Sequence, residues 1–464
     1  MSTSKDLSEV FARYAVSVRF EQLPAAAVDG AKKTILDTLG VILAGGGMEP
    51  AARGVIDLVM ESGGRPESTV IGSHVRVPAV MAALANGAMA HCLDFDDQTP
   101  WGQHSASSLV PAVFAIAERR GGVSGQELIT AVALGQDLFN RLRQHVDWRK
   151  EWMFSTVMGV FCATVASARL LALPCEQVAH ALGIASMQSC GLAEVVNATG
   201  SDLRALYAGF PAKGAVLASL LAEKGVSGVP GLFEAKHGIM ANYFGGRYDR
   251  DKIIEGLGEE FTGGLTLYKR WSAVGTSHSH IQAMIQIVRD HDLAPDDIRD
   301  IKVFVGDYHQ LMCDPLEARR APTTLVDAKF SLPFLVAVAA VHRDVRLSDF
   351  APAALQNSQV LAMAQKVVPI EDRSLDWKLE LPPGRVEVVT RDGRHIVATG
   401  THVPGSVDAP LTWDDLRRKF DDCASVAAVP LSAECKAAAY AMVRALEDET
   451  DATQLVALCS GSLR

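Results

Sequence analysis

The chain has 464 residues, of which 48% are hydrophobic and 21% charged, a balance that is typical of a globular protein and excludes a disordered or fibrous chain. Its formal net charge is −10, so the chain as a whole lacks the basic character that nonspecific nucleic-acid binding requires. Aromatic residues make up only 6%, while alanine and glycine are abundant, which favours closely packed helices over a β-sandwich.

The first part of the chain has the periodicity of packed helices. In residues 28–43 apolar side chains recur at helical spacing, and the three glycines at 45–47 are expected to end this helix. Residues 156–171 are apolar on nearly every face, which predicts a central, buried helix. Further helices are predicted at residues 80–91, 107–119, 126–141 and 211–223.

The apolar segments and the cysteines indicate where the protein resides. The apolar runs at 156–168 and 330–341 are shorter than the roughly 20 residues that a membrane-spanning helix needs. No apolar stretch follows a basic start, so no secretory signal is expected. The eight cysteines form no CxxC pair, which argues against a zinc ribbon and indicates reduced thiols. We therefore expect a cytoplasmic protein that does not engage a membrane.

After Gly275 the sequence takes on strand character. Residues 298–305 end in strand-like alternation, and an Asp-Gly pair between residues 386–390 and 395–399 predicts a β-hairpin. Residues 327–341 predict a helix with an internal proline. Thr412 is expected to cap a further helix, which begins at Trp413.

These patterns predict a mainly α protein in which one domain is discontinuous along the chain. We expect residues 1–270 and 405–464 to form a large all-helical domain and residues 271–404 to form a smaller α+β lid domain. The proline and glycine residues between 404 and 410 are typical of a connection between two such units.

The most polar cluster lies at residues 90–104, directly after a predicted helix of small residues. It offers two imidazoles and three carboxylates: His91, Asp94, Asp96, Asp97 and His104. Crowded carboxylates and imidazoles shift one another's pKa values and can perform acid–base chemistry. The same spacing also fits ligands of a divalent metal, or solvated acids at a helix end. The residues alone leave these three interpretations open.

A second cluster, at residues 269–280, combines cations and imidazoles. Lys269 and Arg270 are adjacent, and His278 and His280 precede a predicted helix whose positive end would favour a bound anion. Solvated charges at a domain boundary explain the same pattern, and a zinc pair would lack an obvious third ligand.

Other motifs narrow the choice of function. Arg204 and Tyr207 share a helix face at i, i+3, although an arginine on a helix is usually only a surface residue. The sequence contains no GxGxxG after a strand, no Walker loop, no HExxH and no GxSxG. These absences argue against nucleotide cofactors, zinc proteases and serine hydrolases.

Five stretches of the chain carry a family resemblance: LDTLGVILAG (36–45), ANGAMAHCLDFDD (85–97), HSASSLVPAVFAIAE (104–118), LRALYAGFPAKGAVLASLLA (203–222) and DAKFSLPFLVAVA (327–339). In this order they resemble the MmgE/PrpD family, which includes 2-methylcitrate dehydratase, cis-aconitate decarboxylase and iminodisuccinate epimerase. The DFDD and AKFSLP segments are the most specific of them. The resemblance implies a large helical domain with a smaller α+β lid, a homodimer, and neither a metal nor an organic cofactor.

The resemblance also implies a chemistry. A proton or a carboxylate would leave a carbon next to a carboxylate of a small di- or tricarboxylate, inside a site that the lid closes against water. The first hypothesis is a hydro-lyase similar to 2-methylcitrate dehydratase. The alternatives are an enzyme similar to iminodisuccinate epimerase or cis-aconitate decarboxylase, and an inactive member that only binds a polycarboxylate.

Functional residues are implied where positions match the family. Its first DFDD aspartate falls on Asp94, its later histidine on His104, and its lysine before the lid on Lys269. His104 is then the candidate general acid or base, with Asp94 orienting it. Lys269 and Arg204 would hold substrate carboxylates. The candidates for the opposite face of the substrate are His278 and His280.

Four positions depart from the family's pattern. Arg204 stands where the family has a lysine, Tyr207 where a histidine is frequent, and Gln98 where a threonine follows DFDD. Met153 occupies the place of a histidine that decarboxylase-like members carry. These departures weaken the case for a standard decarboxylase or methylcitrate dehydratase. The expected substrate-binding residues are Gln98, Arg204, Tyr207 and Arg270.

Overall fold

Helices make up most of the computed structural model, which describes residues 5–197, 201–307, 311–377 and 381–462. The first and last residues of the predicted helical domain, 1–4 and 463–464, therefore lie outside the described residues. The helices before residue 260 are α1 Leu7–Ser17, α2 Ala25–Met48, α3 Pro50–Glu61, α4 Ala79–His91, α5 Ala106–Arg120, α6 Gly125–His145, α7 Phe154–Val157, α8 Gly159–Leu170, α9 Cys175–Ala185, α10 Glu194–Asn197, α11 Leu203–Leu206, α12 Gly209–Glu223, α13 Ile239–Phe244 and α14 Arg250–Ile254.

The later part of the chain mixes helices with strands. Its helices are α15 His278–Asp290, α16 Leu316–Arg320, α17 Leu325–Lys329, α18 Leu332–His342, α19 Ser358–Ala364, α20 Trp413–Ser425, α21 Ala433–Arg444 and α22 Gln454–Cys459. The strands of the whole chain are β1 Ser68–Thr69, β2 Arg76–Val77, β3 Asp97–Gln98, β4 Leu267–Tyr268, β5 Ile298–Val305, β6 Val367–Glu371, β7 Gly384–Thr390 and β8 His395–Gly400. Short 3₁₀ turns lie between them at Phe20–Gln22, Ser186–Gln188, Gly263–Leu265, Gly275–Ser277, Pro295–Asp297, Leu347–Phe350, Ala354–Gln356, Arg373–Leu375 and Leu446–Asp448.

Helix α8 lies at the centre of the helical part, as its apolar sequence predicts. It packs against α5, α6 and α12, and every one of its residues except Arg169 is buried. Helix α4 packs against α5 and α12. A Cβ at Gly87 of α4 would lie 2.9 Å from the Cα of Gly209 at the start of α12, so small residues are what allow these two helices to touch.

The prediction that Gly45, Gly46 and Gly47 end the second helix is wrong, because α2 continues through all three to Met48. A Cβ on Gly45 would overlap the Met89 carbonyl oxygen and lie 2.6 Å from the Cys92 sulfur. A Cβ on Gly47 would lie 2.8 Å from the backbone of Ala427. These glycines therefore serve close contacts with distant segments, a requirement that outweighs their low helix propensity.

The predicted strand and hairpin are confirmed in a four-stranded sheet of order β6-β5-β7-β8. Strand β5 pairs in parallel with β6 and antiparallel with β7, and β7 and β8 form the hairpin around Asp392 and Gly393. Helix α15 packs on this sheet. Side chains at Gly384 and Gly400 would overlap the backbone of Ser279 and His280, so glycines let the sheet approach the start of α15.

The helix predicted at 327–341 with an internal proline is two helices, α17 and α18. Pro333 lies in the first turn of α18 rather than in a helix interior. Its missing backbone N–H costs nothing there, because that position has no intrahelical acceptor. Ser331 caps α18 by accepting a hydrogen bond from the Phe334 backbone N–H at 3.1 Å.

Helix α20, which follows the sheet, packs on α2. Thr412 caps it as predicted, in a capping box with Asp415. Phe420 lies against Gly40 of α2, and Lys419 pairs with Asp37 of α2 at 2.6 Å.

The predicted mainly α fold with a smaller α+β part is confirmed. The domain division at residues 270/271 and 404/405 stays a prediction. It requires the helices after residue 404 to pack on the N-terminal helices, as α20 does on α2.

Within the described residues, no helix combines the length and the apolar character needed to cross a bilayer.

Candidate active site

The polar loop after α4 is anchored by a short β-pairing. Helix α4 ends at His91, and β3 then pairs antiparallel with β4, with Asp97 opposite Tyr268 and Gln98 opposite Leu267. This pairing between two distant parts of the chain places Lys269 beside the loop at 92–96. The two clusters singled out in the sequence thus meet.

Asp94 and Lys269 form a buried ion pair at the centre of the loop. Lys269 Nζ donates to Asp94 Oδ1 and, at 3.0 Å, to the Asp94 carbonyl oxygen. Asp94 takes a left-handed backbone conformation, φ 48°, which is uncommon for a residue other than glycine and turns the loop sharply. Burial acts to raise the pKa of Asp94, but Lys269 and then His104 oppose it, and the net effect holds this pKa below its usual range.

Four consecutive carbonyl oxygens of the loop are each held by a side chain from elsewhere in the chain. We call the four donors, Lys269, Ser272, Lys329 and Lys419, the carbonyl clamp. Their respective acceptors are the carbonyl oxygens of Cys92 (from Lys329), Leu93 (from Ser272, 2.6 Å), Asp94 (from Lys269, 3.0 Å) and Phe95 (from Lys419, 2.6 Å). All four donors are buried, so the loop has little freedom to move.

His104 returns to the loop through a tight turn. Thr99 N–H donates to the Gln103 carbonyl at 3.0 Å, and Gly102 and Gln103 both have positive φ. His104 Nδ1 lies 2.6 Å from the Asp97 carbonyl oxygen. Since a carbonyl can only accept, Nδ1 carries the proton and Nε2 keeps its lone pair in the neutral imidazole.

The surroundings of His104 keep the ring neutral. Burial lowers the pKa of His104, with Lys269 and His91 acting in the same direction and Asp96 opposing them. Asp94 Oδ1 lies 4.0 Å from Nε2, so Asp94 bonds to Lys269 first and contacts the imidazole only loosely. A neutral imidazole with a fixed tautomer is suited to act as a general base.

His91 and Asp96 complete this group. His91 Nδ1 donates to Asp96 Oδ2 at 3.0 Å, and the same oxygen lies 3.4 Å from His104 Nδ1. Burial acts to raise the pKa of Asp96, but the two imidazoles outweigh it and lower this pKa below its usual range. One ionised carboxylate therefore orients His91 through a hydrogen bond and lies close to His104, and the two ring centroids are 4.9 Å apart.

Asp97 has a structural task. Its carboxylate accepts from the Ser105 hydroxyl at 2.7 Å and from the Ala106 backbone N–H at 3.0 Å, which caps α5. Burial, together with the neighbouring Asp96, raises the pKa of Asp97 to about 6.

Arg204 and Tyr207 bring a cation and an aromatic ring to the same place. The Arg204 guanidinium carbon lies 3.2 Å from the ring centroid of Phe330, so the guanidinium stacks on this ring. Tyr207 stacks on His91, with centroids 4.2 Å apart. Phe330 and Lys329 belong to the AKFSLP segment, which thereby supports both the loop and Arg204.

These groups surround a cavity of about 290 Å³, which we call the reaction cavity. Of the residues expected to act, it is lined by Asp94, Gln98, His104, Arg204 and Tyr207. Lys269 and His278 instead line an adjoining cavity of about 490 Å³, which shares Gln98 and Gly275 with the first. The polar side chains at 94–104, 204, 269 and 278 are thus gathered in one region.

Two expected residues lie away from this region. Arg270 is partly exposed and pairs with Asp344 at 3.8 Å. His280 is fully buried and donates from Nε2 to the Phe304 carbonyl of β5 at 2.9 Å, which orients it towards the sheet. His278 is the histidine nearer the site, and burial together with Lys269 lowers its pKa to about 3, so it is neutral near pH 7.

Sequence reasoning assigned no role to His91, Asp96, Lys329 and Lys419. His91 and Asp96 belong to the polar cluster. Their spacing of five residues at a helix end was the sequence feature that could have indicated their pairing. Lys329 stood in a segment recognised as family-specific. Lys419 is one of several charged residues on an amphipathic helix, and nothing in its local sequence marks it as buried.

One group of described residues has the spacing of metal ligands. His91, Asp96 and His104 each offer a ligand atom, and these atoms lie within 4.8 Å of one another. Asp96 accepts a hydrogen bond from His91 and is in close contact with His104. These two interactions account for the short distances without an ion. The expectation that no metal takes part stays a prediction.

Comparison with known proteins identifies relatives along the whole chain. The MmgE/PrpD N-terminal domain matches residues 9–251, and the MmgE/PrpD C-terminal domain matches residues 271–444. A cis-aconitate decarboxylase-like protein of Aspergillus oryzae is 27% identical, over 95% of this chain and 94% of its own length. Cis-aconitate decarboxylase of Aspergillus terreus is 25% identical (88% and 87%), and mitochondrial 2-methylcitrate dehydratase of Yarrowia lipolytica is 22% identical (80% and 74%).

Proposed function

We propose, because this chain belongs to the MmgE/PrpD family, that it is a cofactor-independent enzyme that transfers a proton at a carbon next to a carboxylate of a small di- or tricarboxylate. The observation that carries the proposal is the fixed tautomer of His104. Its Nδ1 proton is committed to the Asp97 carbonyl at 2.6 Å, which leaves Nε2 as a base at the wall of the reaction cavity.

Arg204 supports the binding of a carboxylate beside that base. It lines the reaction cavity, and its guanidinium is held in place by the Phe330 ring. A guanidinium can bind a carboxylate through two parallel hydrogen bonds. When the neighbouring carbon loses a proton, negative charge builds up on the carboxylate oxygens, and a fixed cation in a buried site stabilises that charge.

Within this chemistry, elimination of water is the reaction that we propose first. It needs one group to remove the proton and another to protonate the leaving hydroxyl. His104 and His91 lie side by side on Asp96, and both line the reaction cavity. An epimerase needs proton donors on both faces of the carbon, for which two adjacent imidazoles are less suited.

Decarboxylation is the second candidate, favoured by the relatives named as cis-aconitate decarboxylases. His104 would then have to carry a proton on Nε2, as an imidazolium, to protonate the carbon that carbon dioxide leaves, a form that its lowered pKa disfavours near neutral pH. The family resemblance also motivates the expectation of a homodimer, which sedimentation of the purified protein would test through twice its 49.6 kDa mass.

The decisive experiment is proton NMR in deuterium oxide with citrate-like acids, hydroxy-dicarboxylates and aspartate-derived acids. We expect deuterium to enter the position next to a carboxylate in at least one acid, with an unsaturated product if water is eliminated. Carbon dioxide release would favour the second candidate instead. Thermal stabilisation by several acids with neither exchange nor product would refute an enzymatic function and leave a binding protein.

A further inference from the structure

The reaction cavity has an extensive apolar wall, which the proposed function does not use. Three of the six tryptophans of the chain line it, Trp148, Trp152 and Trp377, together with Met153 and Val196. Met153 and Val196 belong to a small hydrophobic cluster with Tyr207 that is separate from the main core. This cluster, in residues 153–208, therefore presents apolar surface to the cavity as well as to itself.

The wall is built as one local unit. Trp152 forms an isolated β-bridge with Leu192, and the Met153 backbone N–H donates to the Gly191 carbonyl at 2.9 Å. The Trp148 indole N–H donates to the Trp152 carbonyl at 2.8 Å, which ties the Trp148 side chain to the backbone at Trp152. Trp152 and Met153 are thus held by backbone pairing, and Trp148 is held by the hydrogen bond of its indole to the same segment.

The same unit adjoins the base. The His104 backbone N–H donates to the hydroxyl of Ser155, two residues after Met153, at 2.9 Å. Met153 also packs with Tyr207, whose ring stacks on His91. A group attached to the reacting carbon therefore lies within reach of this wall.

We propose that the substrate is a small carboxylic acid that carries an apolar substituent of several carbons, and that the wall around Trp148, Trp152, Met153 and Val196 binds this substituent. The proposal rests on the proposed function and specifies its substrate class. Replacing the water against an apolar wall by an alkyl or aryl group lowers the free energy, because apolar surface is removed from water. A carboxylate placed against the Met153 and Val196 side chains would lose its hydration without gaining a hydrogen-bond partner from them.

A matched substrate series tests this inference. 2-Hydroxybutanedioate and its 3-methyl, 3-ethyl and 3-propyl derivatives, and the corresponding citrate series, differ within each series only in apolar length. We expect kcat/KM for exchange or elimination to rise by about fourfold for each added methylene, until the wall is covered.

A variant pair locates the effect. Met153→Gln keeps the length of the side chain but adds an amide, and it should reduce the ratio of the propyl to the unsubstituted rate by roughly tenfold. Met60→Gln, at a partly exposed position on α3, is the matched control and should leave the ratio unchanged. Thermal melting of both variants checks that each is folded.

The outcomes separate the two proposals. Rates that stay flat or fall with substituent length, in acids that do react, overturn the apolar subsite but leave the proposed function intact. An unchanged ratio in Met153→Gln would remove the wall from substrate selection. If no acid in either series exchanges or reacts, the proposed function fails and this inference fails with it.

Discussion

His104 owes its proposed role to the direction of one hydrogen bond. The Asp97 carbonyl at 2.6 Å fixes the proton on Nδ1, and burial keeps the ring neutral. The tautomer is thus set by the backbone of the loop, while the ionised Asp96 at 3.4 Å stabilises the imidazolium that forms when the base takes a proton.

We predict that His104→Gln abolishes turnover without unfolding the protein. Glutamine retains an N–H donor for the Asp97 carbonyl but has no group that titrates near neutral pH, so the rate should fall by about 10² to 10⁴. The control is His291→Gln, at an exposed position after α15. Turnover close to that of the unmodified protein would remove His104 from the mechanism.

The pH dependence of activity follows from the same residue. Burial lowers the pKa of His104 below its ordinary value of 6.5, so the neutral base predominates at pH 6.5 and the imidazolium predominates only in more acidic solution. We therefore expect kcat/KM to be highest at neutral to basic pH and to fall in acid with a midpoint below pH 6.5. NMR titration of the His104 ring protons should give the same midpoint, and a midpoint above 6.5 would contradict the assigned surroundings.

At the scale of the elements, α2 shows how glycine can serve packing inside a helix. Its Gly45 faces the end of α4, where the Met89 carbonyl and the Cys92 sulfur leave no room for a side chain. Because Cys92 begins the loop that carries Asp94, this contact fixes the distance between a core helix and the candidate site.

Gly45→Ala should therefore destabilise the protein by about 1–3 kcal/mol, since the added Cβ forces the two helices apart. Gly54→Ala on α3 is the matched control, because nothing lies within 4 Å of a Cβ at that position. That change should be neutral or stabilise by up to about 1 kcal/mol through helix propensity. Denaturant unfolding measures both, and equal stabilities of the two variants would refute the close contact.

What the sequence predicts at this scale depends on how local the signal is. The β7–β8 hairpin was predictable because Asp392 and Gly393 specify their own turn. The end of α2 was mispredicted because the reason for Gly45 lies 44 residues away, at Met89. The candidate site divides in the same way: His104 and Asp94 stand in a recognisable segment, whereas Lys419 reaches Phe95 over 324 positions.

On the scale of the whole molecule, the helices after the sheet belong physically with α2. Leu416, Phe420 and Cys423 of α20 are buried. Lys419 pairs with Asp37 of α2. Burial raises the pKa of Asp37, and Lys419 acts against that rise. The match to the MmgE/PrpD C-terminal domain extends to residue 444, so the sequence family and the packing divide the chain differently.

Deleting residues 412–464 should therefore prevent folding rather than release an intact N-terminal unit. The deletion exposes the apolar face of α2 that α20 covers and removes Lys419, the ion-pair partner of Asp37. Deletion of residues 461–464 is the control and should melt like the full chain. A cooperative melt of the shorter chain, seen by circular dichroism, would show that the helical domain is continuous.

The carbonyl clamp has a consequence for protein synthesis. Its donors enter from three separate stretches of the chain, and the ribosome makes Lys419 324 residues after the carbonyl it holds. A nascent polypeptide can build α4 and expose both imidazoles long before that lysine emerges. The loop then lacks one of its four supports, so under the proposed function a prematurely terminated product should be inactive.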